Sequence, residues 1–341
     1  MKAILCDEWG GPETLRVGES PEPRAGAGEL VVAPRAWGVN FADLVLMGGN
    51  YYLKPPFPFI PGMEVAGEVV SVGPRCDAFR PGCRVACYVE SGGYAERVVA
   101  QASATMRLPA EMPIEVAAAF PATYGTALVA LRHRARLRRG ETLLVLGAAG
   151  GVGLTAVAVG KQLGASVIAA ASSKEKLAVA AAHGADHLVD YQADDLVGRV
   201  RELTGEGADV VFDPVGGDQF DNAMRCIAFE GRLVVIGFTS GRIPSVSAGR
   251  ILIKGCSVVG SSWTAIWQRH PAIVRRAFND LARWYTAGVL RPEIDRVLPF
   301  DQAADALRLL AERKVAGKIV LTMDGRDLTR ASSTPHQARS S

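Results

Sequence analysis

The stretch best suited to chemistry is Leu143-Leu-Val-Leu-Gly-Ala-Ala-Gly-Gly-Val-Gly153, followed by Leu154-Thr-Ala-Val-Ala-Val-Gly-Lys161. An apolar run of branched residues ends in glycines, and the glycines open onto a segment of helical character. That is the order of a buried strand, a tight turn and a helix N-terminus that meets a phosphate, because the first amides of a helix lack helical acceptors. Ala148 stands at the first glycine place of G-x-G-x-x-G, with Gly150 and Gly153 at the others. Gly150 lets backbone approach a pyrophosphate, and Gly153 lets helix and strand pack closely. Glycine-rich turns also serve structure alone, so this stretch by itself predicts only that a dinucleotide binds.

The second strand of such a unit ends near the adenosine ribose, where an acid would hydrogen-bond the 2′-hydroxyl of NAD. That point lies about 20 residues past the glycines, within Ser166-Val-Ile-Ala-Ala-Ala-Ser-Ser-Lys-Glu-Lys176. No acid stands at the strand end; serines and lysines do. A carboxylate would repel a 2′-phosphate, whereas hydroxyls and ammonium groups bind one. The pattern favours NADPH over NADH. The competing reading is that Ser172 caps the next helix and the lysines are solvated surface charges.

A dehydrogenase of this size often polarises its substrate with zinc held by Cys and His. The turn where a ligand would stand reads Pro61-Gly-Met-Glu-Val-Ala-Gly67, and the thioether of Met63 is a poor zinc ligand. The histidines (His133, His183, His187, His270, His336) show no convergent spacing, and none of the six cysteines makes a C-x-x-C pair. The expectation is metal-free hydride chemistry, which suits an acceptor that is already electron-poor, such as a quinone or an enone.

The elements that must position these residues follow from pattern. The first hundred residues read as a β-rich, barrel-like unit, with short alternating runs (Leu30–Ala33, Ala66–Val72, Arg84–Tyr88) between Pro and Gly clusters. An alanine-rich helix runs from Glu115 through Leu128. Strands at 142–147, 166–171, 187–190, 208–213, 232–237 and 257–261 alternate with helices, which argues for a parallel sheet covered on both faces. After Trp263 the alternation stops. A helix over Pro271 to Ala287, a strand at Arg296–Phe300, a helix from Asp301 (its N-cap) to Arg313 and a strand at Lys318–Thr322 are expected to return to the N-terminal unit. Residues from about 325 onward read as disordered.

The sequence is 49% hydrophobic and 21% charged, which excludes a disordered chain, and a net charge of +3 gives no reason to expect nucleic acid or membrane. Residues 143–160 carry no charge, but five glycines favour strand, turn and helix over a membrane span. The opening Met1-Lys-Ala-Ile-Leu-Cys-Asp-Glu8 shows no secretory pattern. A cytoplasmic setting with reduced cysteines is expected.

Taken together, these motifs resemble the zinc-free quinone oxidoreductases of the medium-chain dehydrogenase/reductase superfamily. The marks are Gly38-Val-Asn-Phe-Ala-Asp43, Pro61–Gly67, Gly92-Gly-Tyr-Ala-Glu96, Gly147–Gly153, Asp213-Pro-Val-Gly-Gly217 and Ala316-Gly-Lys-Ile-Val-Leu321, covering the chain to about residue 323. The resemblance implies an α/β architecture: a GroES-like catalytic domain (1–123), a Rossmann NADPH-binding domain with a doubly wound parallel sheet (124–263), a C-terminal return (264–323) and a tail (324–341). It implies that Asn40 and Asp43 line the cleft near the nicotinamide and that Thr126 lies by the carboxamide. Ala149, Gly150, Gly151, Val152 and Gly153 would hold the pyrophosphate, and Ser172, Ser173 and Lys176 the 2′-phosphate. Tyr191 would close over the adenosine, Gly237 and Phe238 would pass the nicotinamide, and Gly317 and Lys318 would approach the cofactor. Simpler roles stay open: Asn40 as a helix cap, Asp43 as a helix N-terminal charge, Tyr191 as packing. A homodimer through the edge strand Ser257–Ser262 is implied too.

Tyr51, in Gly48-Gly-Asn-Tyr-Tyr52, matches a tyrosine that serves as proton donor in the branch reducing enoyl thioesters. In a quinone reductase it would be an aromatic wall. Family members often carry Arg at Met47, a tyrosine near Val45, Asp at Cys83 and Gly at Thr264, so the departures concern the acceptor. The acceptor is a quinone, or alternatively an activated alkene (2-alkenal, enone or enoyl thioester). A third possibility is an NADPH-binding protein with little turnover.

Overall fold

A computed structural model describes residues 1–323, so the expected disordered tail lies outside the described residues. Strands Thr142–Leu146, Ser166–Ala171, His187–Asp190, Ala208–Asp213, Ile227–Val235 and Ser257–Gly260 form one sheet in which every neighbouring pair is parallel. Counted along the chain, their spatial order is 3-2-1-4-5-6, the doubly wound arrangement. Leu143 to Leu146 are fully buried, as a strand covered on both faces requires. The uncharged stretch 143–160 is thus a strand, a turn and the helix Gly151–Gln162, and no helix among the described residues is long and apolar enough to cross a membrane.

A second, mixed sheet of seven strands is built on the long strand Glu29–Val39, which pairs with Glu64–Val72, Val98–Gln101 and Lys318–Thr322. The late strands Ile294–Pro299 and Lys318–Thr322 belong to this sheet, so the C-terminal segment does return to the N-terminal one and covers an edge it would otherwise leave open. Register Ile319↔Val39 sets Lys318 beside Asn40. The mixed α/β class with a GroES-like part and a Rossmann-type part is what the sequence predicts.

Several local expectations fail for identifiable reasons. The helix over 115–128 is two helices, Ile114–Ala117 and Pro121–Leu128, because Pro121 has no amide to continue the first. Asp301 is not an N-cap: Pro299 leads into a 3₁₀ turn at Phe300–Gln302, and the helix Ala303–Ala311 starts after it. The fifth strand of the parallel sheet starts at Ile227, five residues before the expected 232. Helix Trp263–Arg269 was not expected at all.

Candidate active site

At the glycine turn, Gly147 takes a left-handed φ of 58° and its carbonyl accepts from the Gly150 amide at 3.0 Å. A Cβ on Gly153 would lie 2.2 Å from that carbonyl oxygen, so no side chain fits there without opening the turn. Ala148 is tolerated because it is buried and its amide donates to Ala170 in the next strand. Gly150 is the extended N-cap of the twelve-residue helix Gly151–Gln162. The first amides of that helix, with half-buried Gly151 and Val152 at the start, are the anion-binding groups expected of this turn. Ala149 is buried and contributes its carbonyl to the Gly317 amide at 2.9 Å, so the C-terminal return docks on the turn itself.

At the end of the second strand, Ser173 rather than Ser172 is the cap, accepting from the Lys176 amide at 3.3 Å. Ser172 is left for the Lys176 ammonium, which lies 3.4 Å from its Oγ and 3.1 Å from the Arg313 carbonyl. Arg313, which no sequence pattern singled out, takes φ 58° and sends its guanidinium to the Thr239 carbonyl at 3.2 Å. It therefore ties Lys176 to the loop carrying Gly237 and Phe238. Tyr191 is half-buried, packs on the core at the strand end, and donates its amide to Ala171. Phe238 lies over Gly216, where a Cβ would come within 3.0 Å of its ring.

The cleft side is organised by a buried ion pair. The Lys318 ammonium donates to Glu64 Oε2 at 2.8 Å, to Asn40 Oδ1 at 2.7 Å and to the Val39 carbonyl at 2.9 Å. Glu64, wholly buried, accepts also from the Ala122 amide at 2.7 Å and from Asn40 Nδ2 at 3.2 Å. One assignment implied by the resemblance changes here, that of Asp43. Lys318 has three acceptors for its three donors and 6% side-chain exposure, so its ammonium positions Asn40. Asp43 has no exposed surface and cannot line a cleft; its Oδ2 accepts from the Asn40 amide at 2.9 Å and the Tyr94 hydroxyl at 2.7 Å. Burial is the chief reason its carboxyl is pushed up to about 6. Asn40 itself caps helix Phe41–Met47 and remains partly exposed.

Thr126 is partly exposed on helix Pro121–Leu128, next to Gly125, whose missing Cβ makes room for the Trp263 ring. Tyr51 is half-buried with its ring 4.5 Å from that of Tyr52. Tyr88, opposite Glu64 in the strand register, adjoins Tyr51 and places its hydroxyl 3.1 Å from Thr264 Oγ1.

Residues 26–110 match the family model of the alcohol dehydrogenase GroES-like domain, and residues 151–279 that of a zinc-binding dehydrogenase. A quinone oxidoreductase-like protein 2 homolog from Nematostella vectensis is 36% identical over 94% of this chain and 88% of its own length. The chain belongs to the quinone oxidoreductase family. A mycobacterial member solved with NADPH superimposes with a TM-score of 0.89 at 35% identity, covering 94% of this chain and all of that one. The Escherichia coli quinone oxidoreductase, also solved with NADPH, gives 0.88 at 30% identity over 94% of this chain and 100% of its own. One of the two matched models is named for zinc, and the donor set here does not fit that ion. Met63 is a thioether 3.9 Å from the Tyr88 hydroxyl, both Glu64 oxygens are engaged, and the Lys318 ammonium already neutralises that carboxylate. Among the described residues no three His, Cys, Asp or Glu side chains converge as a metal site.

Proposed function

We propose that this member of the quinone oxidoreductase family is an NADPH-dependent, zinc-independent reductase that transfers a hydride to a quinone. The observation carrying this reading is the pairing of the Gly147–Gly153 turn with Lys176 and Ser172 at an acid-free strand end. The amides at the start of helix Gly151–Gln162 would hold the pyrophosphate, and Ser172, Ser173 and Lys176 the 2′-phosphate. When bound, the cofactor supplies the hydride. The chain's own part is to bind and orient: Asn40, fixed by Lys318 and Glu64, and Thr126 border the nicotinamide end, where the walls exclude water. An activated alkene is a second acceptor class, favoured by the Tyr51 phenol at the same cleft, which is suited to protonating a carbon after hydride arrival.

The test is a turnover panel with NADPH against quinones, 2-alkenals and short enoyl thioesters, using enzyme stripped of metal by chelator. Quinone reduction undiminished by stripping supports the reading. Stoichiometric zinc with chelator-sensitive activity overturns its metal-free part, and silence with every acceptor makes the protein an NADPH binder.

We also propose a cytoplasmic homodimer formed through Ser257–Gly260, a strand paired on one side only among the described residues. The helix leading into it exposes Leu252 (82%) and Ile253 (86%), a costly pair to leave in water. Leu252→Asp with Ile253→Asp is expected to convert the protein to a monomer by light scattering while NADPH affinity holds. An unchanged mass would show that this edge is not the interface.

A further inference from the structure

The segment Gly92-Gly-Tyr-Ala-Glu96 turns its tyrosine to the interior, where Tyr94 has no exposed surface. Backbone contact decides where that ring goes. The Tyr94 amide donates to the Pro61 carbonyl at 2.9 Å, and the Gly93 amide to the Gly62 carbonyl at 3.0 Å. Gly62 takes a left-handed φ of 93°, and a Cβ there would stand 2.6 Å from the Tyr94 ring. The segment is therefore locked on the turn that leads into Glu64. From there the Tyr94 hydroxyl donates to Asp43 Oδ2 at 2.7 Å, and the same oxygen accepts from the Asn40 amide at 2.9 Å. Asn40 is thus held twice, its side chain by Lys318 and Glu64 and its main chain by Asp43 with Tyr94 behind it.

We propose that Tyr94 is a positioning residue of this site, acting through Asp43 to hold the backbone of Asn40, and that the hold weakens when Asp43 takes up a proton. This rests on the reductase reading, in which Asn40 borders the nicotinamide end. Capping alone does not call for such an arrangement. A helix start needs an acceptor for its first amides, and an exposed polar side chain supplies one. Asp43 is instead wholly buried, and its Oδ1 has no partner among the described residues. Its ionised form therefore carries a desolvation cost that two donors on Oδ2 offset only in part. Phenylalanine would fill the place of Tyr94 and leave the carboxylate with the Asn40 amide alone.

The direction of the pH effect follows from those contacts. Burial is what lifts the Asp43 carboxyl to about 6, against the pull of the Tyr94 hydroxyl and the Asn40 amide. Of the charged groups facing it, Lys318 favours the carboxylate and Glu64 opposes it. At higher pH Asp43 is ionised and accepts two charge-assisted bonds, roughly twice as strong as neutral ones. As pH falls through that range the carboxyl becomes neutral, both bonds weaken, and Asn40 loses its main-chain anchor.

Two titrations test the hold, one of structure and one of activity. In protein without substrate, the Asn40 backbone amide resonance is expected to shift with pH, with a midpoint near 6. The midpoint should move to higher pH in Tyr94→Phe, which removes a bond to the ionised form, and the step should vanish in Asp43→Asn. In turnover of NADPH with 1,4-naphthoquinone and 2-cyclohexenone, wild-type kcat should fall through the same midpoint, and Tyr94→Phe should move that acid limb to higher pH. Asp43→Asn should show no limb and lose about tenfold or more in kcat, the scale of misplacing a group that orients the reactants. An Asn40 amide indifferent to pH in the wild type, or an acid limb unmoved in Tyr94→Phe, overturns the positioning role and leaves the reductase reading intact. Absence of wild-type turnover with both acceptors overturns the reductase reading, and with it the site that Tyr94 would serve.

Discussion

Lys318→Met is expected to lower the unfolding free energy by about 3–5 kcal/mol, the usual cost of removing one partner of a buried ion pair. Methionine keeps much of the lysine stem but abandons Glu64, whose carboxylate would retain only the Ala122 amide and Asn40 Nδ2. Water cannot easily replace the ammonium. The site is walled so tightly that a Cβ on Gly38 would stand 2.5 Å from Glu64 Oε2 and 2.1 Å from the Ala118 carbonyl. Denaturant titration checks the value, and Glu64→Gln alone should behave similarly. The double variant Glu64→Gln, Lys318→Met should cost clearly less than the sum, because each single change strands the other's charge. Costs near about 1 kcal/mol for the single changes would mean the pair is as weak as an exposed one, and the positioning of Asn40 would need another source.

That pair also shows where sequence reasoning stops. The parallel sheet was legible because its strands are uninterrupted apolar runs between turn residues; Ser166–Ala171 and Ala208–Asp213 fall where the pattern puts them. The glycine turn was legible because the spacing there is dictated by backbone contact, as the 2.2 Å clearance at Gly153 shows. Glu64 and Lys318 are 254 residues apart, and no periodicity links them. A usable signal did exist: each is a lone charge at the head of a buried apolar strand, Val65-Ala66 in one case and Ile319-Val-Leu321 in the other. Opposite charges so placed must meet or be paired elsewhere. Of the two roles open for Asp43, the structure favours the helix N-terminal charge over a place in the cleft, and the sequence could not separate them because a short acid at a helix start reads alike whether it faces solvent or core. Arg313 gave no signal, since its role depends on the path of the chain after helix Ala303–Ala311.

Lys176→Ala is expected to weaken NADPH binding about 10- to 100-fold and leave NADH binding unchanged, as follows from losing one charge-assisted contact of about 1.5–3 kcal/mol. The selectivity comes from geometry as much as from charge. A free lysine would spend side-chain entropy on meeting a phosphate, but here Ser172 Oγ and the Arg313 carbonyl already hold the ammonium in place. Both holders are neutral, so the positive charge stays unspent for a dianion. Because Lys176 is only half-buried, the preference for NADPH should shrink as salt is raised, which separates it from a preference set by shape. Titration calorimetry with both cofactors at two ionic strengths measures each part. Equal dissociation constants for NADPH and NADH in the wild type would refute the assignment of this corner to a 2′-phosphate. An unchanged ratio in Lys176→Ala would move that role to Arg313, whose guanidinium reaches the Thr239 carbonyl close by.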